Sequence, residues 1–240
     1  MNSETTPKQH NEKKKRIEII DALRGFSVIM MVCHHFLYDL VEFLNAPGWL
    51  FENPVFDILQ PFFASVFIVL CGISSNFSRS IIKRGVFLLT VAICITGVTI
   101  LIDMPIVFGV LHLLGVCMLF YGVTHKLWEK IPKPLMLIFC IAGIFISSYC
   151  VKNIEIQSEH LWIFGWQHKD FVSYDYFPLF PWMFVFLFGT WLGYYVKENR
   201  FPAWFYKARI SVLSFIGKHS LVVYIIHQPI LYGLVLLLGG

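Results

Sequence analysis

Within an otherwise apolar stretch, residues 17–44, the chain places Asp21, Arg24, His34, His35 and Asp39. Ionisable groups in such a setting are costly to bury and by default mark a functional site. Ten residues separate Arg24 from His35. On a helix this is three turns plus about 20°, so the two side chains share a face, about 16 Å apart along the axis. Asp39 lies one turn beyond His35, where its carboxylate reaches the ring, and Asp21 lies one turn before Arg24. One stripe therefore carries a carboxylate and a guanidinium at one end, an imidazole midway, and a second carboxylate at the other end. An imidazole with a carboxylate one turn away suits proton handling. The competing reading is structural, with an Asp21–Arg24 ion pair and a His35–Asp39 bond joining helices. His34 points about 100° away from His35 and reads as a packing residue.

Two later histidines add to the stripe. His112 and His227 fall in separate apolar runs, at depths close to that of His35 when each residue rises 1.5 Å. Three histidines at one depth suggest a buried polar site. No HxxxH or HExxH spacing accompanies them, so no metal is predicted. Taken alone, each is also readable as a packed, hydrogen-bonded group. Asp57 reads as interfacial or as a second carboxylate at the site. Gly72, Ser74 and Ser75 read as a close helix contact. No P-loop and no dinucleotide-binding glycine pattern is present.

The elements that must position these residues follow from composition. Of 240 residues, 57% are hydrophobic and 14% charged, with mean hydropathy +0.68. A soluble domain runs about 45–50% apolar and about 25% charged, and a disordered chain is poorer still in apolar residues. The six cysteines form no CxxC pair and mostly sit in apolar runs, which excludes a small disulfide scaffold. What remains is an all-α integral membrane protein. Six runs long enough to span a bilayer lack Asp, Glu, Lys and Arg: 58–78, 85–102, 106–125, 134–151, 177–196 and 220–240. With 17–44 they predict seven transmembrane helices. The basic run Lys13–Arg16 before the first is not the start of a signal peptide, because charges interrupt the apolar stretch and no cleavage site follows.

With the N-terminus in the cytoplasm, sixteen Lys and Arg residues fall on the cytoplasmic side and two, Lys152 and Lys169, outside. That asymmetry predicts an inside N-terminus and an outside C-terminus. The net charge of +4 then reflects topology and attraction to anionic headgroups, and no nucleic-acid partner is expected. Residues 1–15 are expected as a disordered cytoplasmic tail, 16–240 as a single transmembrane domain, and 201–210 as an interfacial elbow rich in aromatic and basic residues.

The segment Arg16-Ile-Glu-Ile-Ile-Asp21-Ala-Leu-Arg24-Gly25, followed by Met31-Val-Cys-His-His35 and Tyr38-Asp39-Leu40, resembles the start of the heparan-α-glucosaminide N-acetyltransferase catalytic-domain family of bacterial membrane proteins. Further similar motifs are Cys71-Gly-Ile-Ser-Ser75, Phe108-Gly-Val-Leu-His112-Leu-Leu-Gly115, Phe177-Pro-Leu-Phe-Pro-Trp182 and Gly217-Lys-His-Ser220-Leu-Val-Val-Tyr224-Ile-Ile-His227-Gln-Pro229. The resemblance covers nearly the whole chain. The spacing of Arg24 and His35, and the closing Ser-Leu…Tyr…His-Gln-Pro, are also similar to the acyltransferase-3 family, in which the histidine is regarded as catalytic. The heparan-acetylating branch carries Asn at the position of His35 and a catalytic histidine in the loop after the first span. Here that loop, Asn45-Ala-Pro-Gly-Trp49, has none. The arrangement is thus closer to acyltransferase-3 proteins.

The resemblance implies a transmembrane acetyltransferase of the bacterial cytoplasmic membrane. It would move an acetyl group from cytoplasmic acetyl-CoA to a hydroxyl or amine of an extracytoplasmic acceptor, a cell-envelope sugar or glycan. CoA phosphates would lie near Arg24 and Arg84, with Asp21 and Tyr224 completing the cofactor-binding set. Neutral His35 would act as base or as acyl carrier, oriented by Asp39. His112, Tyr224 or His227 would bond the developing oxyanion. The alternative function is a small-molecule or proton-coupled transporter using the same His/Asp seam, and the oligomeric state, monomer or homodimer, stays open.

Overall fold

The computed structural model describes residues 16–156 and 158–239. The segment expected as a tail, 1–15, lies outside the described residues. The chain is 77% helical, with no strand among the described residues. Among the described residues nine α-helices follow in order: α1 (Glu18–Leu44), α2 (Pro54–Ser75), α3 (Ile81–Leu101), α4 (Val110–Lys130), α5 (Lys133–Asn153), α6 (Leu179–Lys197), α7 (Ala203–Lys207), α8 (Ser211–Lys218) and α9 (Ser220–Gly239). Seven of them, α1–α6 and α9, are long and apolar enough to cross a membrane.

Local chemistry sets several boundaries. Asn45, at φ 52°, ends α1 in the left-handed conformation that Asn tolerates. The Asn53 side chain accepts the backbone N–H of Val55 and Phe56, and Pro54 occupies the first turn. The second span therefore begins four residues before the charge-free run starting at Ile58. Helices α3 and α5 bury few residues and turn Ile93, Leu101, Phe145 and Tyr149 outward. In water this surface would be an association hazard, whereas for a spanning helix it is the lipid face. The protein is a polytopic, multi-pass membrane protein.

Small residues set the helix contacts. A Cβ on Gly72 would lie 2.3 Å from the Phe186 carbonyl oxygen, and one on Gly189 would lie 2.3 Å from that of Val69. Helices α2 and α6 therefore pack with their backbones touching. Helix α3 packs on α4, α5 on α6, and α1 on α2, α8 and α9. The α1–α8 contact is the closest: a Cβ on Gly217 would lie 1.7 Å from the Asp21 carbonyl oxygen. Ser214 Oγ also donates to the Glu18 carbonyl at 2.9 Å. The expected elbow is the short helix α7, with Phe205 buried. Helix α8, which follows it, was not foreseen.

At the end of the bundle away from Arg24, residues 173–177 pair with the α3–α4 connection. The Tyr174 N–H donates to the Pro105 carbonyl at 3.0 Å and the Phe177 N–H to the Phe108 carbonyl at 2.8 Å. The Val107 N–H donates to Ser173 Oγ at 3.1 Å. This pairing carries Asp175 onto the N-terminus of α4.

Candidate active site

Three cavities succeed one another along α1. The first, about 550 Å³, opens among the basic residues Arg16, Arg24, Arg84 and Lys218, and includes Asp21, Ser74 and Tyr224 in its wall. The second is a chamber of about 170 Å³ containing His35, His34, Asp175 and Tyr224, walled otherwise mainly by apolar side chains such as Met31 and Phe63. The third, about 560 Å³, is an open groove beside the α1–α2 connection, with Glu52, Asp57 and Gln60 in its wall. Phe67 and Tyr224 line both the first and second, and His34, Phe56 and Gln60 line both the second and third. The cavities are thus adjacent, each sharing side chains with the next.

At the basic end, Arg24 Nη1 donates to Asp21 Oδ1 at 3.1 Å and Nη2 to Ser74 Oγ at 2.5 Å. Arg16 Nε meets Asp21 Oδ2 at 2.7 Å. One buried carboxylate therefore holds two guanidinium groups at the cavity wall, and the Arg24–Ser74 bond ties α1 to α2. Four cations against one carboxylate leave this cavity positive, suited to phosphate. The stripe reading of Asp21 with Arg24 corresponds to this contact.

At mid-depth, the ring of His35 stands 5.1 Å, centroid to centroid, from that of His227 and 5.8 Å from that of His34. His227 Nδ1 lies 2.6 Å from the Tyr224 carbonyl oxygen, which only a protonated nitrogen can satisfy. Its Nε2 is then a bare acceptor, buried and without a hydrogen-bond partner among the described residues. Asp39 is fully buried and takes both bonds from Gln228 Nε2, at 2.9 and 3.1 Å. It pins α1 to α9 one turn from His35 rather than holding the His35 ring.

His112 belongs to its own helix end. Its Nδ1 accepts the Gly109 N–H at 3.2 Å, so Nε2 carries the proton and faces Thr96 Oγ1 at 3.3 Å. Thr96 in turn donates to the Ile106 carbonyl at 2.5 Å. His112 lines none of the three cavities. The structure therefore gathers His35, His227 and Tyr224, sets Arg24, Arg84 and Asp21 around the first cavity, and leaves His112 in a cap.

Asp175 was not singled out in the sequence, yet it enters the chamber from the loop after α5. Its Oδ2 accepts the Val110 N–H at 3.1 Å and the Tyr224 hydroxyl at 2.6 Å. Burial pushes its carboxyl above the usual range, against those two bonds, which favour the charged form. The neighbouring Tyr176 hydroxyl, pushed by burial up to about 12, stays protonated and donates to the Trp162 carbonyl. The one available signal was position: Asp175 stands two residues before the Phe177-Pro motif. Among the described residues no three His, Cys, Asp or Glu side chains gather into a metal-holding group.

A family model described as heparan-alpha-glucosaminide N-acetyltransferase, catalytic, matches residues 16–229. The chain belongs to that family. No curated protein and no solved structure matches it. Membership gives this N-acetyltransferase-family protein its activity class, acetyl transfer at a membrane. The match begins at Arg16 and ends just past His227 and Gln228, so it takes in every residue of the three cavities.

Proposed function

We propose that the protein, as a single domain over residues 16–240, carries an acetyl group from acetyl-CoA at its basic, cytoplasmic end to a hydroxyl or amine of an acceptor held in the groove at the other face. The acceptor is a sugar or glycan of the cell envelope, and the membrane is the bacterial cytoplasmic one. The observation that carries this reading is the succession of three cavities with His35 in the middle one. Phe67 and Tyr224, in the walls of both the first and the second cavity, bring the basic end next to the His35 chamber. Family membership favours acetyl transfer over transport for the same seam.

Arg24 and Arg84, with Lys218, hold the CoA phosphates, and Asp21 fixes the direction of Arg24. The pantetheine arm runs up the first cavity and brings the thioester to Phe67 and Tyr224, where that cavity adjoins the chamber. His35, desolvated and neutral, removes the proton of the acceptor hydroxyl or amine as that atom attacks the thioester carbon. A C–O or C–N bond forms and the C–S bond breaks. The thiolate leaves into the first cavity, and the proton on His35 balances its charge until CoA is released as the thiol. His227, with its bare Nε2 beside His35, stabilises the charged ring. Asp39, through Gln228, keeps α9 and therefore His227 at this distance. His112 keeps the end of α4 in place.

The test is acetyl-CoA binding and acetyl transfer by wild type and His35→Ala in nanodiscs. His35→Ala should bind acetyl-CoA as wild type does and transfer at least about 100-fold more slowly, the usual share of a positioned base. Full transfer by folded His35→Ala would overturn the assignment.

A further inference from the structure

We infer that Asp175 orients the acceptor: its second carboxylate oxygen binds a donor neighbouring the group that His35 deprotonates, so the chamber selects acceptors with two adjacent hydroxyl or amine groups. The inference rests on the acetyl-transfer reading above, but its test does not need turnover.

The bonding of Asp175 carries it. Oδ2 takes both donors the protein supplies, the Val110 N–H and the Tyr224 hydroxyl. Oδ1 accepts no hydrogen bond from the described residues, and half-buried Asp175 lines the chamber. Most other polar groups of the chamber are spent or lie towards its mouth. Ser27 donates to the Leu23 carbonyl, and Tyr176 to that of Trp162. His34 and Gln60 stand at the border with the outer groove. At the deep end, next to Tyr224, the groups free to meet a ligand are His35 and Asp175 Oδ1.

Size and desolvation make the pair selective. At about 30 Å³ per water, about 170 Å³ holds five or six waters, or one small ring. Only the reacting end of an acceptor enters. A ring with one donor satisfies His35 and leaves the carboxylate oxygen unpaired among apolar walls. A site built to bond a hydroxyl rejects the analogue lacking it, because its own buried group is then left without a partner. Two adjacent donors satisfy both.

The experiment uses the full chain in nanodiscs and two water-soluble probes, followed by saturation-transfer NMR. The probes are anhydroerythritol, a five-membered ring bearing two adjacent hydroxyls, and hydroxytetrahydrofuran, the same ring bearing one. Wild type should bind the diol at least about tenfold more tightly. Asp175→Asn keeps a carbonyl oxygen for Val110 and Tyr224 but puts an NH2 donor where Oδ1 stood. It should lose the diol preference and leave the mono-alcohol unchanged. Equal binding of both probes by wild type overturns the inference without any variant. So does Asp175→Asn that weakens both probes alike, which is a merely structural effect, or weakens neither. Acetyl-CoA binding is measured in the same samples. Wild type that discriminates the probes but ignores acetyl-CoA sinks the transferase reading alone. Wild type that binds acetyl-CoA without discriminating sinks the Asp175 assignment alone.

Discussion

Replacing Arg24 by alanine separates two quantities that the structure lets one work out in advance. The Arg24 side chain is only 12% exposed and bonds Asp21 and Ser74. Removing it strips one partner from a buried carboxylate, a change that costs about 3–5 kcal/mol when no other partner exists. Asp21 keeps Arg16 at 2.7 Å, so the fold should lose well under that amount. A hydrogen bond between charged groups contributes about 1.5–3 kcal/mol, and about 1.4 kcal/mol is tenfold in affinity. Acetyl-CoA should therefore bind Arg24→Ala about 10–150-fold more weakly. Arg24→Lys, which keeps charge but loses the planar fork, should fall between the two. Isothermal titration in nanodiscs reads the affinity and a melting curve reads the fold. If Arg24→Ala melts near wild type and still binds acetyl-CoA within about twofold, Arg24 does not hold a phosphate and the orientation of CoA given above is wrong.

Two further outcomes follow from packing and charge. Gly217→Ala would put its Cβ 1.7 Å from the Asp21 carbonyl oxygen, so α8 must leave α1 and stability should fall by about 2–3 kcal/mol or more. Gly97→Ala on α3, with open space around its Cβ, should instead be neutral or stabilising by up to about 1 kcal/mol; melting temperatures that rank the two variants the other way would refute the contact. The Asp175 carboxyl is raised by burial, so the folded protein holds its proton more tightly than the unfolded chain. Stability from this group is full below the unfolded value near about 3.9 and is lost as pH rises through the folded one. The melting temperature of wild type relative to Asp175→Asn should therefore fall as pH rises above about 4, and a difference that grows instead would contradict the burial argument.

The sequence made the spans legible because lipid imposes a simple rule, about 20 apolar residues per crossing. All seven runs correspond to helices, with ends displaced where local chemistry intervenes, as at the Asn53 cap. The Asp21–Arg24 pair was legible for a similar reason, being one turn apart on one helix. The partner of Asp39 was not. Helical spacing offers His35 and says nothing of a glutamine 189 positions away on α9. Asp175 was hidden for the opposite reason: its loop has no period to read, and only the pairing of residues 173–177 with the α3–α4 connection delivers it to Tyr224. Helix α8 escaped because its eight residues are too few for a span and its partner is a glycine face that carries no hydropathy signal.

The junction of the first two cavities at Phe67 and Tyr224 bears on the bilayer as an electrical barrier. A protein hollow at both ends puts little low-dielectric material between two ionic solutions, and about 100 mV across a membrane does about 2.3 kcal/mol of work on each charge that passes. In the transfer reading proposed above, a phenyl ring and a phenol anchored to Asp175, which line both the basic cavity and the His35 chamber, would be the insulation where the two meet. On that reading, what passes from one to the other must be neutral and small. An acetyl group is both, and the phosphates of the proposed acetyl-CoA donor are neither.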